Sequence, residues 1–376
     1  MDSNNVRIIH GNEACVEGAI LAGCRLFAGY PITPASEVAE IMANRLPQEK
    51  GTFLQMEDEL ASINALIGAS WGGLKAMTAT SGPGFSLMQE GIGYAVVSET
   101  PCVILDVMRG GPSTGQPTSS AQQDVYQARY GTHGDYEAIV LTPSSAQEAL
   151  DLTIRAFNLS ELFLTPVIVL SDAIIGHTRE RVEIPVKVDI VNRQLPLDGV
   201  EYVPFDADKT KRWIPYRANF GMGHHIVVDG QLHDGYGNRV GHIPGKSAAL
   251  VQRLCAKIKD NIDLITDIEL RETEDAEVVL VSYGSTSRPA LRAMKEARKL
   301  GQKVGWVKMK TLFPFPEKEL AALSQHVRTF IVPEMNMGKI VNEVARVTKK
   351  QTISVPKIGG ELHSPDEILK VIQEVL

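Results

Sequence analysis

The sequence predicts an α/β protein, built as a doubly wound parallel-sheet domain over residues 1–175 and a smaller α/β domain over 273–376. Three observations lead there. Strand-length apolar runs alternate with helical-period segments through the first ~175 residues. Runs such as Cys102–Met108 (CVILDVM) show no inside–outside alternation, as expected of strands covered on both faces. The pattern thins out from about 177 to 265 and resumes near Asp275.

The elements follow in order. Asn12 can cap a helix over Glu13–Arg25, with Val16, Ile20 and Cys24 on one face. LFAGY is a short buried strand. Ser36 can cap the next helix, EVAEIMANRL, and TFLQ is the second strand. A helix over Glu57–Trp71 follows, then strand KAMTATS, the turn SGPG and a helix over Ser86–Val97. CVILDVM, AIVL and PVIVLSD complete the strands, with a helix over Ser145–Asn158 between the last two. Residues 176–272 read as a connecting arm, rich in Pro, Gly, His and charge, with one strongly helical stretch at about 246–264. Beyond it EVVLVSYG, KVGWVKM, TFIVPEM and TISV alternate with helices at Arg288–Leu300, Glu317–Ser324, Lys339–Thr348 and from Pro365.

Composition narrows the function. A formal net charge of −7 argues against nucleic-acid binding, which needs a basic surface. No apolar run reaches the length of a membrane span, and the polar start MDSNNVRIIHG does not resemble a signal peptide, so a cytoplasmic protein is expected. The four cysteines, Cys15, Cys24, Cys102 and Cys255, form no C-x-x-C pair and sit in apolar segments, which makes them buried thiols rather than cluster or zinc ligands. His224, His225, His233 and His242 have no compact metal-ligand spacing.

Four segments carry chemistry. Tyr30–Ser36 (YPITPAS) follows a strand, where open parallel sheets place their ligands. Pro31 and Pro34 stiffen it and would fix the Thr33 hydroxyl, although a tight turn before a helix accounts for the same residues. In QMEDELASINALIGAS the acids suit the first turn of a helix. Glu59 stands out there, because Ala61, Ser62, Ala65, Gly68 and Ala69 allow another surface to approach closely. Ser81–Gly84 (SGPG) offers backbone amides to an anion, or is simply a turn. In Met108–Thr118 (MRGGPSTGQPT), Arg109 is placed to take a carboxylate in a two-pronged contact, or is a surface arginine in a loop.

Taken together, GNEACVEGAILAGCRLFAGYPITPAS, QMEDELASINALIGAS, TATSGPGFSLMQEGIGYA, MRGGPSTGQPT, QARYGTHGD and VPEMNMGKI resemble, in order, the α subunits of 2-oxoacid:ferredoxin oxidoreductases. GPSTGQPT and GTHGD are most similar to the 2-oxoglutarate branch. The resemblance implies a thiamine-diphosphate-binding domain of the pyrimidine type at 1–175 and a transketolase C-terminal-like domain from 273. It implies that Glu59 faces N1′ of the cofactor's aminopyrimidine, with Glu57 the alternative. Tyr30, Pro31, Ile32, Ser81 and Gly82 would line the cofactor. Thr33 and Arg109, with Ser113 and Thr114, would hold the 2-oxoacid; Arg129 and His133 are candidates for a distal carboxylate. The reaction implied is oxidative decarboxylation of 2-oxoglutarate with coenzyme A to succinyl-CoA, CO2 and reduced ferredoxin, or its reverse. No GDG motif for Mg²⁺ and diphosphate is present, nor a cluster-binding cysteine set. A β subunit is therefore expected to bring the diphosphate and Mg²⁺ site and an iron–sulfur cluster, with γ and ferredoxin-like δ subunits as further partners. A branched-chain 2-oxoacid enzyme and a non-catalytic assembly paralogue are the alternatives.

Overall fold

The computed structural model describes residues 5–376. In chain order it runs β1 (Val6–His10), α1 (Gly11–Leu21), β2 (Cys24–Gly29), α2 (Ser36–Arg45), β3 (Thr52–Gln55), α3 (Glu59–Trp71), β4 (Lys75–Thr80), α4 (Gly82–Leu87), α5 (Gln89–Val97), β5 (Cys102–Gly110), β6 (Gln116–Ser120), α6 (Val125–Tyr130), β7 (Ile139–Leu141), α7 (Ala146–Phe163), β8 (Pro166–Asp172), α8 (Ala173–His177) and β9 (Arg179–Glu183). After a long irregular stretch come α9 (Pro244–Lys259), α10 (Ile262–Ile265), β10 (Ile268–Arg271), β11 (Val278–Ser282), α11 (Ser287–Lys299), β12 (Val304–Met309), β13 (Thr311–Phe313), α12 (Glu317–Leu323), β14 (Thr329–Glu334), α13 (Ile340–Thr348), β15 (Gln351–Pro356) and α14 (Pro365–Val375).

The main sheet has the order β13-β7-β8-β5-β4-β2-β3 and the second β10-β12-β11-β14-β15. The main sheet also takes β6, paired with β5 off this path, and both sheets are parallel except for β6, β10 and β13. Side chains of β5 alternate between two cores. Ile104 and Met108 pack with α3 and α4 residues such as Ile63 and Phe85. Val103, Leu105 and Val107 pack with α1 and α7 residues such as Val16 and Leu150. That is why the strand is apolar without alternation.

Several expected boundaries move, each for a physical reason. The first helix begins at Gly11 rather than Glu13, and its cap is the His10 imidazole, which accepts from Glu13 N. Asn12 turns inward instead and donates to the Pro34 carbonyl at 2.9 Å. The third helix begins at Glu59 rather than Glu57, because Asp58 caps it by accepting from Ala61 N at 2.7 Å. The helix expected at Ser86–Val97 is two helices, α4 and α5, with the first opening at Gly82. Strand β5 runs on through Arg109, which is therefore a buried strand residue and not a loop residue.

The arm packs on the main sheet through buried cations. The Arg193 guanidinium binds Glu161 and the Ser70 carbonyl. Arg217 lies 3.0 Å over the Trp71 ring centroid and donates to the Ser98 and Glu99 carbonyls. Glu99, fully buried, takes Arg253 at 2.6 Å and Lys257 at 2.8 Å from α9. His233 is buried too, between the Val97 and Asp234 carbonyls.

Burial alone would raise the Glu99 carboxyl; Arg253 and Lys257 outweigh it and hold it at about 2. A depressed carboxylate contributes stability that is present above its unfolded value of ~4.3 and is lost as pH falls toward 2. Glu99→Gln leaves two cations buried without their counter-charge, so it should cost ~3–5 kcal/mol in denaturant unfolding at neutral pH. The gap between variant and native protein should narrow as pH falls from 4 to 2.

Candidate active site at the carboxyl ends of the strands

The turn after β2 is held from three directions. Arg109 Nη1 donates to the Thr33 carbonyl at 2.7 Å, and Asn12 donates to the Pro34 carbonyl. His177 Nε2 lies 3.3 Å from the same Pro34 oxygen. Tyr30, Pro31 and Thr33 themselves are exposed, and Ile32 is half-buried. The side chains offered to a ligand thus stand on a backbone fastened from beneath. Arg109 is 6% exposed, and its Nε has no partner among the described residues.

Glu59 occupies the first turn of α3 and is 4% exposed, whereas Glu57 is exposed. Burial pushes the Glu59 carboxyl up; Asp58 adds to the rise, while the helix start and the nearby Thr80 hydroxyl oppose it. Across from it lies the SGPG turn. A Cβ at Gly84 would collide with Glu59 Oε1 and Thr80 Oγ1, so only glycine allows this approach. Ser81, at the end of β4, is buried with no partner for its hydroxyl among the described residues, and Gly82 opens α4 with φ +27.

The structure therefore joins Thr33 directly to Arg109, and Glu59 to the Ser81–Gly84 turn. It leaves Ser113 and Thr114 exposed on the β5–β6 connection. Arg129 is ion-paired to Glu137 at 2.7 Å and donates to the Tyr136 carbonyl. His133 lines a cavity of about 390 Å³ with Tyr94, Asp135 and Leu254. That lining includes none of Thr33, Glu59 and Arg109. Sequence reasoning missed Thr80 and took Gly84 only as part of the SGPG turn; the signal available was a pair of threonines, Thr78 and Thr80, leading into that turn.

Residues 17–224 match the thiamine-diphosphate-binding family model of pyruvate flavodoxin/ferredoxin oxidoreductases. The chain belongs to that family. Residues 276–368 match its core domain II. Among relatives, the chain is 51% identical to the 2-oxoglutarate synthase subunit KorA of Methanothermobacter marburgensis over 97% of each chain. It is 35% identical to the ketoisovalerate oxidoreductase subunit VorB of the same organism, over 98% of this chain and 97% of the relative. A solved 2-oxoglutarate:ferredoxin oxidoreductase from Magnetococcus marinus, with 2-oxoglutarate, coenzyme A and succinyl-CoA bound, superposes with a TM-score of 0.95 at 34% identity. The superposition covers 98% of this chain and 65% of that one.

Gly84→Ala should force Glu59 and Thr80 apart. Overpacking of this kind typically costs ~1–3 kcal/mol. The expected result is a lower midpoint of denaturant unfolding and a displaced Glu59 carboxyl in a crystal structure of the variant.

Proposed function

We propose that this chain is the α subunit of a thiamine-diphosphate-dependent 2-oxoglutarate:ferredoxin oxidoreductase, working with a β subunit that brings the diphosphate and Mg²⁺ site and an iron–sulfur cluster. The reaction is oxidative decarboxylation of 2-oxoglutarate with coenzyme A to succinyl-CoA, CO2 and reduced ferredoxin, or its reverse, in the cytoplasm. γ and ferredoxin-like δ subunits are further candidates for the assembly. The observation that carries the reading is the buried Glu59 carboxyl, which has no cationic partner among its perturbing neighbours and packs against the Ser81–Gly84 turn.

That arrangement fits the cofactor. A carboxyl raised by burial suits a hydrogen bond to a ring nitrogen such as N1′ of an aminopyrimidine. When bound, thiamine diphosphate supplies the carbon nucleophile and the electron sink of the decarboxylation. Glu59 holds and moves the proton at the ring nitrogen. Tyr30, Pro31, Ile32, Ser81 and Gly82 would line the cofactor. Thr33 offers its hydroxyl to the 2-oxo group, and Arg109 takes the carboxylate, with Ser113 and Thr114 closing from the hairpin. Ala61, Asn64, Ala65 and Gly68 leave a stripe of small and polar residues open along α3, and a Cβ at Gly68 would meet nothing. A partner subunit can approach Glu59 closely along that stripe.

The greater likeness to 2-oxoglutarate synthase subunits, 51% against 35% for the ketoisovalerate enzyme, favours the dicarboxylate. The test is acceptor reduction by the co-purified complex with coenzyme A, across several 2-oxoacids. The highest kcat/KM is expected with 2-oxoglutarate. A preference for 2-oxoisovalerate would move the protein to the branched-chain class, and no turnover with any 2-oxoacid would make it an assembly subunit.

For Arg109, a charge-assisted pair with the carboxylate should contribute ~1.5–3 kcal/mol. Arg109→Met should therefore raise KM for the 2-oxoacid by roughly one to two powers of ten. Thiamine diphosphate affinity should be almost unchanged, and lysine should restore only part of the loss. Steady-state kinetics beside cofactor titration measure the two effects separately.

A further inference from the structure

Asp106 is out of place in β5. Every residue of that strand is buried, and its strand neighbours are Leu105 and Val107. A lone carboxylate there would be strongly disfavoured. Asp106 Oδ1 and Oδ2, and Asp124 Oδ2 just ahead of α6, are closed to solvent with no hydrogen-bond partner among the described residues. The Gly82 backbone N–H faces Asp106 without closing a hydrogen bond. The two carboxyls face each other, and like-charged groups so placed do not both ionise.

The pair lies beside the candidate site. In the parallel pairing of β4 with β5, Thr80 stands opposite Asp106. Its hydroxyl is buried without a partner meeting hydrogen-bond geometry, and it crowds the same point at Gly84 as Glu59 Oε1. The charged groups facing this cluster are Arg109 from β5, Lys339 ahead of α13, and Asp58 beside Glu59 on α3. On its other flank β8 presents Leu170.

We propose that Asp106 and Asp124 hold one proton between them and exchange it with Glu59 through the Thr80 hydroxyl, keeping the active-site acid supplied. This rests on the role given to Glu59 above. When Glu59 has released its proton, Thr80 O–H donates to the Glu59 carboxylate while Asp106 O–H donates to Thr80 Oγ. Asp106 is left as a carboxylate, and the pair regains its proton from solvent by way of half-buried Asp124. No electrons move, and three proton positions shift by one place. The electrostatics agree: burial, then the neighbouring Asp124, pushes Asp106 well above the usual carboxylate range, and burial pushes Asp124 up to about 6. Asp106, Asp124 and Thr80 are positioning residues, since they act through Glu59.

The test uses the assembled complex. Without cofactor at pH 7, infrared spectra should show the band of a protonated carboxylic acid in the native protein and in Glu59→Gln, and Asp106→Asn should remove it. No such band in the native protein and Glu59→Gln, or an unchanged band in Asp106→Asn, would overturn the proposal. With cofactor, Thr80→Val should lower kcat about tenfold at constant KM with a larger solvent deuterium isotope effect, and Thr80→Ser should restore it. A native kcat and pH profile in Thr80→Val would end the relay while leaving Glu59 in place. Normal exchange of the cofactor's ring proton in Glu59→Gln would instead remove both.

Discussion

A single buried carboxylate, Glu99, sets much of this architecture. A charge withdrawn from water must find opposite charge, and Glu99 finds Arg253 and Lys257 on α9. The carbonyls of Ser98 and Glu99 take Arg217 from the arm, and Arg217 covers Trp71 at the end of α3. The Trp71 indole is fixed in turn by Thr100 at 3.0 Å and stacked on Phe220. Glu59 stands at the opposite end of that same helix. The arm is thus tied, through one rigid helix, to the carboxyl that the proposed chemistry uses.

The fold was largely legible because it is written in local patterns. Apolar runs of strand length, amphipathic helices and the resumption of alternation near Asp275 all survive in the structure. Caps were harder to read. Asn12 is a good cap residue by type, yet its amide is claimed by Pro34, 22 residues away in sequence, and His10 takes over the cap. No local pattern announces such a long-range competitor.

The candidate site was legible in its residue types and not in its depth. Glu57 and Glu59 look alike in a helix start, and only the packing of SGPG against Glu59 separates them. Arg109 reads as a loop cation because two glycines follow it, but pairing with Ser120 carries the strand past it. Asp106, the one charge inside CVILDVM, was passed over because the run reads as an apolar strand. Arg193 and Arg217 lay in a stretch without periodicity, so nothing marked them as buried anchors.

The two sheets are interlocked rather than joined end to end. Gln122 donates to the Tyr283 carbonyl, Asp172 accepts from Ser285 N, and Asn336 donates to the Gln122 carbonyl. Strand β13, which follows β12 of the second sheet, leaves it and pairs antiparallel with β7 at the edge of the first. This has a consequence for synthesis on the ribosome. The first sheet cannot close its β7 edge until residue 313 has emerged, so the nascent chain carries an open, apolar strand edge from residue 141 to residue 313. Folding of the amino-terminal half then waits on the carboxyl-terminal half, and a nascent chain stalled within the arm would be the species most in need of a chaperone.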